Sequence, residues 1–269
     1  MKNWKKRMAA ALLTAVMAAG VVANATPASA ATLTAKQYLT KMEKASKKAK
    51  SYEKTQIMMN NYTYQGQTVN QKVTYKFIIH MNPLQRKVVI TNVVKSDGVE
   101  QSQKVVSYVR ENSDGTITEY DSVDGGEFQE TDVTDSMKDS EEPSEHIYSN
   151  AKIERKSVKV NKVDTVKISY QIKGDNLKEV FPLINVNEDQ LVELGVDMKA
   201  IKPAKGSVWL NKKTYCPVKE IMDLTDVVNS INAQLTELGL QEKLIHSVCK
   251  YTISYSKFDK ARTIKFPEV

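Results

Sequence analysis

The chain has 269 residues, with 39 Lys and Arg against 32 Asp and Glu, a formal net charge of +7. Four of the basic residues and none of the acidic ones lie in the first thirty, so the rest carries 35 basic and 32 acidic residues, a balance of +3. Lysines are spread along the chain among Glu and Asp, and this excludes the clustered basic face of a typical nucleic-acid-binding protein. A hydrophobic content of 41% is enough for one β-rich domain.

The first thirty residues have the pattern of a cleavable secretory signal. Basic residues 1–7 precede an apolar run over residues 8–22, and small residues then predict cleavage after Ala30, with Ala25 as a weaker site. The apolar run is shorter than the ~20 residues of a spanning helix. No Cys lies near either site to accept a lipid. We expect a secreted or extracytoplasmic protein of the cell envelope, not lipidated and without a transmembrane anchor.

Residues 34–50 predict one amphipathic helix. Thr34 and Gln37 have the spacing of a capping box. Lysines occupy most of the helix surface, and apolar residues recur at helical spacing on one side: Tyr38, Leu39, Met42, Ala45 and Ala49. We interpret the segment as a surface helix packed by its apolar stripe, with a membrane-binding helix as the alternative.

From residue 52 to residue 130 the hydrophobic pattern has a period of two, which predicts consecutive strands. The predicted strands are residues 51–64, 67–81, 86–96, 103–110, 116–122 and 127–131. Turn pairs such as Asp97-Gly98 separate them, and connections this short predict an antiparallel meander. In the second strand the alternation directs four residues toward the core or a cavity: Val73, Tyr75, Phe77 and Ile79.

Residues 132–151 are polar and acidic, with Pro143 among them, and predict a loop. We interpret this loop as a solvated connection. A mobile lid or a cation-binding loop is the alternative, although the carboxylate spacing does not match that of a calcium loop.

The rest of the chain mixes hairpins with helices. Strands are predicted at 157–163, 164–173, 206–210, 215–224, 244–258 and 261–266, and helices at 176–184, 187–198 and 226–238. The predicted fold class is α+β. A strongly curved antiparallel sheet forms an incomplete, half-open β-barrel, helices cover one face, and residues 31–269 make a single domain.

Cys216 and Cys249 are the two cysteines of the chain. In an exported protein an even pair suggests a disulfide, and two separate reduced thiols are the alternative. Neither has a Cys or His at ligand spacing, so we expect no metal site.

The sequence carries no catalytic signature that we recognise. His80, His146 and His246 each stand alone, and adjacent carboxylates such as Glu141-Glu142 lie in the acidic loop rather than opposed in a buried site. We expect no enzymatic activity and no cofactor, with a hydrolase as the remaining enzymatic alternative.

Adjacent apolar residues within strands indicate that both strand faces are covered. Met58 and Met59 are neighbours, so they face opposite sides of their strand. Methionine and large aliphatic residues make adaptable apolar linings, and a core packed tightly without a cavity is the alternative. The candidate ligand-binding residues are Met58, Met59, Phe77, Ile79, Met81, Val89, Trp209, Met222, Leu235 and Ile253.

Four segments carry a family resemblance. They are the opening helix and strand at 35–60, TYKFIIHMNPLQRKVVI at 74–90, VWLNKKTYCPVKEI at 208–221, and YTISYSKFDKARTIKFPEV at 251–269. Together they resemble the LolA-like group of lipoprotein and lipid carriers over residues 33–269, and more closely its Gram-positive branch of mostly unassigned function. The resemblance implies an incomplete barrel that helices close around an apolar pocket. Many Gram-positive relatives have a Cys at the cleavage site, whereas this chain has Ala30.

Two functions follow as hypotheses. The first is an exported carrier or sensor that binds a lipid, a lipidated molecule or another apolar molecule without a covalent bond. The second is a cell-envelope interaction module with a packed core and no ligand, which contacts an envelope protein or a wall polymer through a sheet edge or the acidic loop.

Overall fold

The structure is a computed structural model and describes residues 33–138 and 147–268. The predicted signal over residues 1–30 and the centre of the predicted acidic loop, with Glu141-Glu142 and His146, lie outside the described residues.

The first helix, α1 (Ala35–Lys48), begins at the predicted capping box. The Thr34 hydroxyl accepts a hydrogen bond from the Gln37 backbone N–H at 3.2 Å, and the Gln37 side chain accepts one from the Thr34 N–H at 2.8 Å. Leu39 and Met42 are buried in the main core. The apolar stripe is therefore occupied by protein packing, as predicted for a surface helix.

Within the described residues the chain forms eleven strands. The first six are β1 (Ser51–Tyr64), β2 (Gln67–Met81), β3 (Leu84–Ser96), β4 (Val99–Glu111), β5 (Ile117–Val123) and β6 (Gln129–Asp132). The other five are β7 (Ser149–Val160), β8 (Val163–Ile172), β9 (Ala204–Asn211), β10 (Pro217–Asp223) and β11 (Leu244–Ser256). The further helices are α2 (Thr134–Lys138), α3 (Glu188–Glu193) and α4 (Thr225–Glu237), with 3₁₀ turns at Gly174–Glu179, Phe181–Ile184 and Met198–Ala200.

All eleven strands belong to one antiparallel sheet with the order β6-β5-β4-β3-β2-β1-β11-β10-β9-β8-β7. The two halves of the chain meet where β1 pairs with β11, at registers such as Met58 opposite Tyr251. In the described part of the chain β6 and β7 are the two edges, and the sheet is not closed into a barrel. The prediction of one large antiparallel sheet with few helices is thus confirmed.

Two groups of predicted bounds differ from the structure. β7 begins at Ser149 rather than at residue 157, because its register with β8 shifts three times and the two-residue alternation is lost. The predicted helices at 176–184 and 187–198 are 3₁₀ turns and the short α3. Pro182 and the left-handed Gly195 interrupt longer helices there.

The main core lies on one face of β8–β11. It is closed by α1, α3, α4 and the 3₁₀ turns, whose buried side chains include Phe181, Leu191, Val227 and Ile231. A second cluster covers the same face of β1–β4 and includes Tyr52, Phe77 and Val88. We call this face of the sheet the inner face. None of the helices in the described part of the chain is long and apolar enough to span a membrane.

The prediction of a last strand over residues 261–266 is wrong, because this segment has no regular secondary structure. β1 and β11 already pair on both sides, so no sheet edge is free beside them. The segment instead packs on the outer face: Ile264 is buried, and the Phe266 ring lies 5.8 Å from that of Tyr108. It also covers Ile78, which explains why both Ile78 and Ile79 are apolar.

The two cysteines are free thiols, so the structure does not contain the disulfide that an even pair suggested. Cys216 precedes β10, while Cys249 lies on β11 beyond the far end of that strand. The seven residues of β10 separate them by about 20 Å. A disulfide requires Cα atoms within about 7 Å of each other.

Candidate ligand cavity

The floor of a cavity is formed by the inner face of β1–β4. Antiparallel register places side chains of neighbouring strands in rows across the sheet. One row runs through Gln56, Tyr75, Ile90 and Val105, and the next through Met58, Val73, Asn92 and Gln103. Every second residue of each strand therefore contributes to one continuous surface.

The walls come from the other half of the chain. The segment 182–186, which includes most of the second 3₁₀ turn and the two residues after it, covers one side, and α4 contributes Val228, Ile231 and Asn232. From β11 the cavity is lined by Leu244, His246, Cys249 and Tyr251. The cavity volume is about 610 Å³, within the range of small-molecule sites.

Tyr251 fixes the wall segment over the floor. Its hydroxyl donates a hydrogen bond to the Leu183 carbonyl oxygen and lies 2.9 Å from the Met58 sulfur. Burial raises the pKa of Tyr251 well above its usual value, so the phenol stays a donor at neutral pH. The segment is further anchored by the buried Phe181, whose carbonyl accepts from the Val186 N–H at 3.0 Å.

Amide side chains form a polar row at one end of the cavity. Nδ1 of His246 lies 2.8 Å from Oδ1 of Asn60. The Asn60 amide donates to Gln71 at 3.5 Å, and the Gln71 amide donates to Asn92 at 3.1 Å. Burial lowers the pKa of His246, so its ring is neutral at pH 7. We call His246, Asn60, Gln71, Asn92 and Gln103 the amide row; all five line the cavity.

The remaining lining is mostly apolar, and among the described residues it contains no Asp, Glu, Lys or Arg. Likewise, no group of three or more His, Cys, Asp or Glu in the described ranges is arranged to hold a metal ion. Burial raises the pKa of Cys249 to about 12, so its thiol is protonated at neutral pH and a poor nucleophile. The arrangement is suited to enclosing an uncharged molecule.

A cluster of buried charges lies beside the cavity on the same inner face. Glu220 of β10 accepts hydrogen bonds from the hydroxyls of Tyr170 and Tyr255, the second at 3.5 Å. Burial raises the pKa of Glu220. Burial, together with the charge of Arg86, lowers the pKa of Lys54 to about 8. This cluster packs against the cavity without lining it.

Two predicted binding residues, Met58 and Phe77, line the cavity. Five others are on the inner side but outside the lining: Ile79, Met81, Met222, Leu235 and Ile253. Ile79 and Met81 belong to or pack against the second core cluster, and Met222 and Leu235 belong to or pack against the main core. For all seven, a binding role stays a prediction.

The structure does not place Met59, Val89 or Trp209 in the cavity, so the prediction that they line it is wrong. Their sequence neighbours Met58, Val88 and Val208 face inward, so these three side chains face the opposite side of the sheet. There the Trp209 ring lies between the ammonium groups of Lys167 and Lys219, at 5.2 and 5.3 Å. An indole between two cations is accounted for without a ligand.

The sequence analysis missed the amide row, the wall segment 182–186 and the α4 residues. Part of the row had a signal in the sequence, since Asn60, Gln71 and Asn92 are polar residues at inward positions of their strands. A polar residue where the alternation calls for an apolar one is the pattern that would have found them. No such periodic signal exists for the irregular wall segment.

Comparison with known proteins gives distant matches only. No protein-family model matches this sequence, and no curated protein matches it. Among solved structures, the Mycobacterium tuberculosis lipoprotein LppX is 13% identical, with a TM-score of 0.45 over 85% of this chain and 96% of that one. A beta-barrel-like protein of the domain of unknown function DUF1849 from Brucella abortus is 8% identical, with a TM-score of 0.23 over 77% and 97%. A DUF1329 family protein from Desulfovibrio piger is 7% identical, with a TM-score of 0.20 over 82% and 90%.

Proposed function

We propose that this protein is an exported binding protein that holds a lipid or another apolar molecule in the cavity between β1–β4 and α4. The observation that carries the proposal is the cavity of about 610 Å³ with its largely apolar, uncharged lining. Burial of apolar ligand surface contributes ~25 cal/mol per Å², so shape and area supply the binding energy there.

In this proposal the curved sheet is the half-open barrel of a LolA-like carrier or sensor of the Gram-positive branch. Helices and cavity lie on the same face of the sheet, which supports the assignment. The signal pattern before Ala30, with no Cys near it, supports export without lipidation. The absence of charged groups from the described lining supports binding rather than catalysis.

The alternative of an interaction module requires a packed core. A cavity volume of about 610 Å³ disfavours a packed core, since each water molecule occupies about 30 Å³ in the liquid.

The first test is native mass spectrometry of mature protein purified from its own host, followed by solvent extraction. We expect an apolar species bound at close to one per chain. A clean apo mass together with no uptake of a fluorescent lipid probe would contradict the proposal.

A cavity-filling variant tests the location of the site. Val73→Trp should reduce affinity for the probe at least about tenfold, because Val73 is buried in the cavity floor. Thr74→Trp is the matched control, since the adjacent residue faces the other side of the strand. Circular dichroism checks that both variants fold, and Val105→Phe replaces Val73→Trp if that variant does not. Unchanged affinity in a folded cavity variant would place the ligand elsewhere.

A further inference from the structure

The polar part of the cavity is concentrated at one end of its floor. The amide row crosses β1–β4 and reaches β11 through His246, whereas Tyr75, Ile90 and Val105 make the neighbouring row apolar. The surface therefore changes from hydrogen-bonding to apolar within a few residues along each strand. Such a surface matches a molecule that has a polar part and an apolar part.

One amide outside the amide row also lines the cavity. Within the part of the chain that the structure describes, the Gln56 side chain makes no hydrogen bond, and its polar atoms are open to the cavity. Such an amide can donate to, and accept from, a polar atom of a bound molecule. Gln56 stands beside Tyr75 in the next row of the floor, so a molecule bonded to it carries a polar atom between its head and its apolar part.

The chemistry of the amide row favours an uncharged polar head group of a ligand over a charged one. Asn and Gln amides present both donors and acceptors, which suit hydroxyl, ester and amide groups. A phosphate or carboxylate would lose its hydration there without meeting a cation, because the described lining has no Lys or Arg and His246 is neutral. The buried Lys54 does not line the cavity, and its ammonium lies 4.4 Å from the centre of the Phe77 ring.

We propose that the ligand is an amphiphile with an uncharged hydrogen-bonding head, such as a neutral glycolipid or a diacylglycerol, whose head is held by the amide row and whose linkage contacts Gln56. This inference rests on the proposed function and specifies its ligand class. The apolar part extends along Tyr75, Ile90 and Val105 toward Phe77.

Competition among lipids that differ only in the head tests the inference. A fluorescent lipid is bound to the purified mature protein, and monoglucosyl-diacylglycerol, diacylglycerol, phosphatidylglycerol or phosphatidic acid with the same two acyl chains is added to displace it. We expect the two neutral lipids to displace it at concentrations about tenfold lower than the two anionic lipids. Equal or stronger displacement by the anionic lipids would overturn the inference and leave the proposed function standing. Failure of every lipid to bind would overturn both.

Substitutions in the amide row test whether its side chains cause the preference for neutral over anionic lipids. Asn92→Leu removes an amide from the row at similar side-chain volume, and we expect the preference for neutral lipids to shrink severalfold while probe binding persists. Asn70→Leu is the matched control, because Asn70 is exposed on the other face of β2 and should leave the preference unchanged. If Asn92→Leu does not fold, Gln103→Leu removes the row's next amide. An unchanged preference in the folded row variant would show that the amide row does not select the head.

Discussion

At the scale of single residues, the inner face of the sheet shows how burial changes charge. Glu220, Lys54 and Arg86 are all buried close to one another, on β10, β1 and β3. Burial disfavours the charged form of each. The attraction between Lys54 and Glu220 only partly offsets the loss of hydration, and the like charge of Arg86 opposes the charged form of Lys54 further. The described lining of the neighbouring cavity has none of these charges. We therefore distinguish the charged cluster, which is structural, from the uncharged surface, which we propose binds the ligand.

The lowered pKa of Lys54 makes stability depend on pH. Its folded-state pKa is about 8 against 10.5 for the free side chain, so between these values the unfolded chain binds more protons. The Lys54 contribution to the free energy of unfolding therefore rises with pH across this window, by on the order of 1–2 kcal/mol from pH 7.5 to 9.5. Urea denaturation at several pH values measures it. Lys54→Met, which keeps the side-chain length, should remove this rise, and the same pH slope in both proteins would contradict the assignment.

At the scale of elements, the C-terminal segment 261–268 acts as a strap across the outer face of the first sheet half. Arg262 forms an ion pair with Glu53 of β1 at 2.9 Å, and its carbonyl lies 2.9 Å from Nε2 of His80 on β2. Ile264 and Phe266 then cover the Tyr108 and Tyr120 rings. The segment contacts four strands without joining the sheet, so its apolar contacts should matter more than its exposed ion pair.

Two alanine variants separate these contributions. Ile264→Ala should lower the free energy of unfolding by about 2–4 kcal/mol, because the side chain is buried. Arg262→Ala should cost less than about 1 kcal/mol, because the arginine is largely exposed and water screens the pair. Urea denaturation followed by tryptophan fluorescence measures both. Equal losses, or a larger loss from Arg262→Ala, would show that the strap is held by charge.

At the scale of the whole molecule, the sheet has two edges that differ from its centre. β6 is four residues long with every residue exposed, and β7 carries register shifts together with Lys152, Glu154 and Arg155. Short, charged or irregular edges resist pairing with another chain. The paired β1 and β11 at the centre instead join the two halves and line the cavity from both.

The predicted signal over residues 1–30 can be tested directly on the secreted protein. We expect N-terminal sequencing to read Ala31-Thr32-Leu33. Ala30→Trp should block this cleavage or move it to Ala25, because the peptidase site requires a small residue at position −1. Ser29→Trp, at position −2, is the control and should be cleaved normally. A secreted protein that still begins at Met1 would contradict the prediction.

The sequence by itself determined the local structure wherever one periodic signal was strong. The bounds of β1 and β2, the capping box at Thr34 and the inward positions of Val73 and Phe77 follow from alternation and capping, which depend on neighbours in the chain. The edge strand β7 and the helices near Pro182 were predicted less accurately, because bulges and 3₁₀ turns disturb that periodicity.

Only the tertiary structure decided which covered face is a cavity and which is packed. Met58 and Met59, or Ile78 and Ile79, look alike in the sequence because each pair is apolar at both positions. The C-terminal segment covers Ile78, whereas Met58 lies in the cavity closed by α4 and the 182–186 segment. Those covering elements are remote in sequence and some are irregular, so no local pattern encodes them. The same reason explains why Trp209, a large aromatic residue in a strand, was predicted to bind ligand and instead lies between two lysines on the outer face.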